Sequence, residues 1–278
     1  MCRLFGFRSV VKSQVHTSLT EADNALLHQS SKHPDGWGVA YYLEGAPHVI
    51  KSVESAGSDQ LFRKVSGLVS SETVLAHLRK ATLGGLSITN THPFQYGSWV
   101  FAHNGNIKGF DQYRPKLLKL VRPALSRFIL GEADSELIFY VVLSKLEQKV
   151  GLSQKDVPIE TLVEAVREAR MAITNIIGQT AKEGSPPSET FLTFIMTNGR
   201  TMVGHHGGQP LLYSTYKSRC PDRDTCQSFS EACEAESKSG FVNHLVLSSE
   251  SLKGTNIFLP LKSGEMVGVD HRMKLYFA

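Results

Sequence analysis

Cysteine is scarce in this chain: there are four in 278 residues, Cys2, Cys220, Cys226 and Cys233, and no CxxC pair among them. That is too few for the disulfide framework of a secreted scaffold, and a chain this long buries roughly 75% of the surface its unfolded form exposes, so folding needs neither staples nor a structural metal. A reducing compartment fits this usage. Long apolar runs are missing too. No stretch approaches the ~18 consecutive apolar residues of a membrane span, and the opening Met1-Cys2-Arg3-Leu4-Phe5-Gly6 lacks the apolar run of a signal peptide. A cytoplasmic address with no membrane partner is therefore expected. Nor is there an excess of one charge: 30 Lys and Arg stand against 26 Asp and Glu, +4 with His neutral, interspersed along the chain, which argues against nucleic acid as a partner. What remains is an ordinary globular composition, 41% hydrophobic and 20% charged.

Hydrophobic periodicity divides the chain into β-rich ends around a helical middle. Cys2 to Val10 reads as a strand, Ser18 to Ser31 as a helix, and Trp37 to Leu43 with His48 to Val53 as a hairpin turning at Glu44-Gly45. Gly57 to Ser70 suits a short amphipathic helix, Thr73 to Arg79 a buried strand, and Ser98 to His103 a further strand ending at Asn104-Gly105. From Gln112 to Gln179 the apolar period becomes helical, with about three helices and a break in the first at Pro123. Ala181 to Ser188 is a loop, and strands resume with Phe191 to Thr197, a two-residue Asn198-Gly199 hairpin turn, and Thr201 to His205. Leu211 to Tyr216, Phe241 to Ser248, Ile257 to Pro260, Glu265 to Val269 and Lys274 to Phe277 complete the β-rich end. The order of strands, helices, strands suits two packed antiparallel sheets covered by helices, an α+β fold. No linker forces a boundary, so residues 2–278 are expected to form one domain with a polar, cysteine-containing insertion around 217–240.

Several residues have chemistry in reach. Removal of Met1 would leave a thiol and a free α-amine together on Cys2, and their reference pKa values, about 8.5 and about 7.7 to 8.0, make proton transfer between them nearly balanced. Position alone is equally compatible with the second residue of a buried strand. Arg79 at a strand end suits bidentate capture of a carboxylate, or a solvated terminal charge. Asn104-Gly105 can set a side-chain amide beside a backbone N–H, as an oxyanion hole requires, or can be a plain turn. Asp134 precedes an apolar helix and reads as an N-cap or as a partner for an ammonium group. Gly36 and Gly38 around Trp37 form a turn that also lets backbone approach a ligand. His92 alone reads as a structural hydrogen-bonding histidine. Cys220, Cys226 and Cys233, with His244 downstream, raise a structural zinc site, although their spacing is not that of a zinc finger or ribbon and reduced, unligated thiols or an occasional disulfide are the preferred reading. The adjacent His205-His206-Gly207-Gly208 is assigned no role.

Together, Cys2 after the initiator Met, Asp35-Gly36-Trp37-Gly38, His77 to Thr82, Asn90-Thr91-His92-Pro93-Phe94, Ala102-His103-Asn104-Gly105-Asn106 and Asp134-Ser135-Glu136 resemble the class II glutamine amidotransferase family. The likeness covers most of residues 2–140, more loosely the rest, and looks nearest to stand-alone bacterial members without a synthase domain. It implies the N-terminal-nucleophile hydrolase sandwich, a four-layer αββα arrangement of two antiparallel sheets. It also implies Cys2 as nucleophile and its amine as base, Asn104 and Gly105 as oxyanion hole, Arg79 on the substrate α-carboxylate and Asp134 on its α-ammonium. Thr82 and His92 match positions that shape the glutamine pocket, and Gly36, Trp37 and Gly38 match a loop near the nucleophile. Lys80 departs from the Trp that follows the Arg in sugar-phosphate amidotransferases. No cofactor or metal is called for.

The implied chemistry is thiolate attack on a γ-glutamyl carbonyl, then hydrolysis of the thioester. No second domain of synthase size is expected in this chain. The favoured expectation is hydrolysis of glutamine or a γ-glutamyl amide or peptide, as in relatives that resemble enzymes of glutathione breakdown or ergothioneine synthesis. A glutaminase subunit serving a separate synthase partner, and an inactive regulatory relative, are the alternatives.

Overall fold

The computed structural model describes residues 2–14, 19–20, 26–80 and 85–278. Two seven-stranded antiparallel sheets form its centre. The first sheet contains β1 (Arg3–Gln14), β2 (Trp37–Leu43), β3 (Ala46–Ser52), β4 (Ser70–Leu78), β9 (Leu212–Ser214), β11 (His244–Ser248) and β12 (Leu259–Pro260), in the order β12-β9-β11-β1-β4-β2-β3. The second contains β5 (Phe94–Tyr96), β6 (Trp99–Asn106), β7 (Phe191–Thr197), β8 (Met202–His205), β10 (Gly240–Phe241), β13 (Met266–Val269) and β14 (Lys274–Phe277), in the order β10-β14-β13-β8-β7-β6-β5.

Side-chain alternation along the strands sorts the apolar residues into three layers of core. In β1, Leu4 faces the seam between the sheets with Leu75, Val100, Ala102 and Ile195, while Phe5 faces outward with Val39, Val74 and Val246. That outward face is covered by α1 (Leu26–Gln29) and α2 (Gln60–Leu68), through Leu26, Phe62 and Val65. The outer face of the second sheet is covered by α3 (Phe110–Leu118), α4 (Pro123–Ser126), α5 (Asp134–Glu147) and α6 (Ile159–Ile177). In α6 the buried Ile159, Leu162, Val163, Val166, Ala169 and Ile173 make the single stripe of a surface helix, whereas α5 is buried nearly all round because it lies within that layer. The result is the expected αββα sandwich.

Three local expectations change, and one is met. The strand expected to end at Asn104-Gly105 runs on, because Asn104, Gly105 and Asn106 pair with Thr193, Leu192 and Phe191 of β7. The helical middle has the expected break at Pro123: α3 stops at Leu118 and Pro123 opens the short α4, with Arg122 extended, as a residue before proline prefers. The Asn198-Gly199 turn is wider than a two-residue hairpin. Thr197 pairs with Met202, and the Asn198 side chain accepts hydrogen bonds from Arg200 N (3.0 Å) and Thr201 N (2.8 Å). Asp134 is the first helical residue and not the cap, which falls on Ala133. Of the helix expected over Ser18 to Ser31, residues 18 and 21–25 lie outside the described residues. In the 217–240 insertion Cys220 and Cys233 are buried and Cys226 half-buried, all as free thiols. Among the described residues no group of three or more His, Cys, Asp or Glu is placed to hold a metal ion, and no helix is long and apolar enough to cross a membrane.

Candidate active site

Sheet pairing builds the first wall of a cleft. Arg3 at the start of β1 pairs with Leu78 at the end of β4, so the residues just beyond, Cys2 and Arg79-Lys80, meet at one edge of the sheet. The Cys2 thiol donates to Lys80 O (3.4 Å) and accepts from Lys80 N (3.3 Å). Arg79 is clamped through its backbone: its N–H donates to Gly36 O (2.8 Å) and its carbonyl accepts from Asp35 N (3.2 Å). Its guanidinium donates to Gly85 O (3.3 Å).

The glycines of the 36–38 segment set this geometry from behind. Gly36 has φ +124°, a left-handed backbone, and Gly38 is pressed against the turn that carries His92: a Cβ there would strike the His92 carbonyl and lie 2.8 Å from Pro93 Cδ. Trp37 between them points the other way. Its ring is fully buried against Phe62, 5.0 Å between centroids, and its indole N–H donates to Asp59 Oδ2 (3.0 Å), so its side chain belongs to the outer core and not to the cleft.

β6 and the start of α5 form the facing wall. Asp134 is 3% exposed, and its Oδ2 accepts from Ile107 N (2.7 Å) while Oδ1 accepts from Ser135 N (2.7 Å). The first turn of a helix favours a carboxylate, and here the fold uses it to satisfy the N–H just past the end of β6. His103 occupies the helix-facing side of β6, where its Nε2 lies 3.0 Å from Phe191 O and its Nδ1 2.8 Å from Ser135 Oγ. A carbonyl only accepts, so Nε2 carries a proton; burial lowers the ring's pKa from its ordinary value, and Nδ1 meets the Ser135 hydroxyl, whose one hydrogen also reaches Asp134 Oδ1 (3.1 Å). Gly105 follows on the same side, where a Cβ would run into Phe191 O and His103 Nε2. Asn104 alternates to the seam side with Val100 and Ala102, and its buried Oδ1 has no hydrogen-bond partner among the described residues.

The cleft is lined by Cys2, Arg79, Lys80, Asn90, His92, His103, Gly105, Ala133, Asp134 and Ser135. Asn90 ties its rim together, accepting from Glu132 N (2.8 Å) and donating to Gly85 O (3.2 Å). A buried thiol, a guanidinium and a carboxylate thus converge on one space.

A family model described as class II glutamine amidotransferases matches residues 1–268. The chain belongs to this family. It is 31% identical over 224 residues, 73% of its length, to a probable glutamine amidotransferase of Saccharomyces cerevisiae, of which it spans 62%. It is 36% identical over 72 residues to a gamma-glutamyl-hercynylcysteine sulfoxide hydrolase of Mycobacterium tuberculosis, a match to 26% of this chain and 31% of that one. The fold matches a glutamine aminotransferase class-II domain protein from Silicibacter pomeroyi with TM-score 0.61 at 19% identity, covering 100% of this chain and 98% of the other.

Five of the residues expected from the sequence, Cys2, Arg79, His92, Gly105 and Asp134, line the cleft. Gly36 and Gly38 support it, Asn104 adjoins it within β6, Trp37 is turned away, and Thr82 lies outside the described residues. His103 and Ser135 were given no role in the sequence reading although they flank Asn104 and Asp134. The available signal was strand alternation, which puts His103 and Asn104 on opposite faces.

The electrostatics of the cleft and of the buried histidines follow from burial. Burial pushes the Cys2 thiol above its ordinary value, against the pull of the Lys80 N–H and the positive charge of Arg79. His77, whose ring lies 4.2 Å from that of His92, is pushed down to about 3 by burial, and His92 is driven well below its ordinary value for the same reason. His205 and His244 fall to about 4. These groups fold neutral and ionise readily only when unfolded, so the unfolded state binds more protons below pH 6.5. Their stabilising contribution is complete above about pH 6.5 and is lost as pH falls toward 4, with a slope of up to about 1.4 kcal/mol per pH unit for each. The urea midpoint is expected to drop steeply between pH 6.5 and 4 and to drop less in His244→Gln; identical curves for the two proteins would contradict this account of His244.

Proposed function

We propose that this chain hydrolyses a γ-glutamyl amide or peptide through a Cys2 thioester, with residues 2–278 as one catalytic unit. The observation that carries the reading is the convergence of the Cys2 thiol, the Arg79 guanidinium and the Asp134 carboxylate on one cleft. A γ-linked glutamyl group has matching charges, an α-carboxylate for Arg79 and an α-ammonium for Asp134, which would hold its γ-carbonyl carbon at the thiol. With Met1 removed, the α-amine of Cys2 takes the thiol proton as sulfur bonds to that carbon. The carbonyl oxygen takes the negative charge, met by the Gly105 N–H and the Asn104 carboxamide. Collapse breaks the C–N bond, the ammonium of Cys2 protonates the departing amine, and water then attacks the thioester with the same amine as base, freeing glutamate. The match to a hydrolase of a γ-glutamyl compound supports hydrolysis over transfer of ammonia to a separate synthase. A free nucleophilic thiol suits a reducing cytoplasm.

The test compares protein lacking Met1, verified by mass, with protein that retains it, on glutamine, γ-glutamylmethylamide and γ-glutamyl dipeptides. Glutamate release is expected from the processed form alone, because in the other the Cys2 nitrogen is an amide and no base. Equal turnover by both forms would refute the terminal amine as base, and turnover by neither would refute the hydrolase reading.

A further inference from the structure

Lys80 stands apart from the other residues around the cleft: it alone is exposed, while the rest are buried or half-buried. Its backbone N–H and carbonyl both touch Cys2 Sγ, at 3.3 and 3.4 Å, so a flexible, exposed side chain ending in an ammonium is rooted beside the thiol with the mouth of the cleft within its reach. Among the described residues this ammonium has no ion pair and no hydrogen bond, unlike Lys108 and Lys149, which sit on Glu189 and Glu168. The charges inside the cleft already balance. Arg79 and Asp134 answer the two charges of a glutamyl group, and Lys80 is left as one positive charge more than glutamine can use.

Direction decides where that charge acts. Arg79 and Asp134 are buried at 3% exposure each, so a substrate held by them has its α end inward and its scissile nitrogen toward the mouth. In a γ-glutamyl amino acid the carboxyl carbon of the leaving amine is two bonds past that nitrogen, about 2.5 Å away, within the sweep of a lysine rooted at the thiol. Ammonia, the leaving group from glutamine, offers it nothing. Resting on the hydrolase reading above, we propose that Lys80 selects substrates whose leaving amine carries a carboxylate, that is, γ-glutamyl amino acids and peptides over glutamine.

The experiment measures kcat/KM for γ-glutamylglycine and for γ-glutamylglycinamide, which differ only in that carboxylate, in the processed wild type and in Lys80→Ala, Lys80→Glu and Lys80→Arg. Taking the acid-to-amide ratio within each protein cancels folding and active-fraction differences. The ratio is expected to fall about tenfold in Lys80→Ala, to fall further in Lys80→Glu, and to stay within about threefold of wild type in Lys80→Arg. A ratio that moves less than twofold across all four proteins overturns the role of Lys80 while leaving hydrolysis standing. Glutamate from neither compound with wild type overturns the hydrolase reading and this inference together.

Discussion

Alanine at position 2 is expected to bring glutamate release down to background, a loss of at least about 10⁴-fold in kcat, while the protein unfolds within about 1 kcal/mol of the parent. The two halves of that expectation have separate causes. Chemically, Cys2 is the only thiol lining the cleft; Cys220, Cys226 and Cys233 belong to the 217–240 insertion and its surroundings and have no place in it. Structurally, the thiol's hydrogen bonds among the described residues are two weak ones, both to the backbone of Lys80, and the strand pairing that fixes this corner begins with Arg3 and Leu78. Glutamate assays and urea titrations on the same preparation separate the two. Residual turnover above about 1% would point to a different nucleophile.

Gly105→Ala is expected to be the most damaging substitution of a single hydrogen by a methyl group. The new Cβ meets the Phe191 carbonyl and His103 Nε2, and neither can give way cheaply, since one is the backbone of the paired strand β7 and the other is bonded to it at 3.0 Å. Forcing β6 from β7 should cost about 2–4 kcal/mol and lower the melting temperature by roughly 5–15 °C. Activity should fall further than stability explains, by about 10²–10³ in kcat at a temperature where the variant is folded, because the N–H proposed to meet the oxyanion moves with the strand. Gly151→Ala, with nothing near its added methyl, is the control and should change stability by less than about 1 kcal/mol. A Gly105→Ala protein as stable and active as that control would refute both the packing argument and the role of the N–H.

Local pattern was enough for much of the fold. Trp37 to Leu43, Phe191 to Thr197 and Lys274 to Phe277 were read with the bounds they have, because short β-branched and aromatic runs between turn residues have few other solutions. Where the reading erred, a distant partner had decided the matter. Asn104-Gly105 carries a turn signal, but pairing with Thr193 and Leu192, nearly ninety residues on, keeps the strand going. Asp134 carries a cap signal, but its carboxylate is claimed by Ile107 N–H. The order of the first sheet, with β1 between β4 and β11, lies beyond any periodicity. In the site, the residue types were legible and their orientation was not: Trp37 and His103 lie on faces that only the assembled layers define.

The central place of β1 in its sheet also sets a timetable. Its neighbours are β4, ending at Leu78, and β11, ending at Ser248, so its second flank cannot close until the residues through Ser248 have left the ribosome. At about 5–20 residues per second that interval is on the order of 10–50 seconds. Cys2 ends up 8% exposed, so the amine proposed as base is expected to be uncovered within that interval, before the last strands dock. On the proposed mechanism, maturation of this chain is thus expected to be a race between cleavage of one peptide bond and completion of one sheet, and a chain that folds first would be well formed and inert.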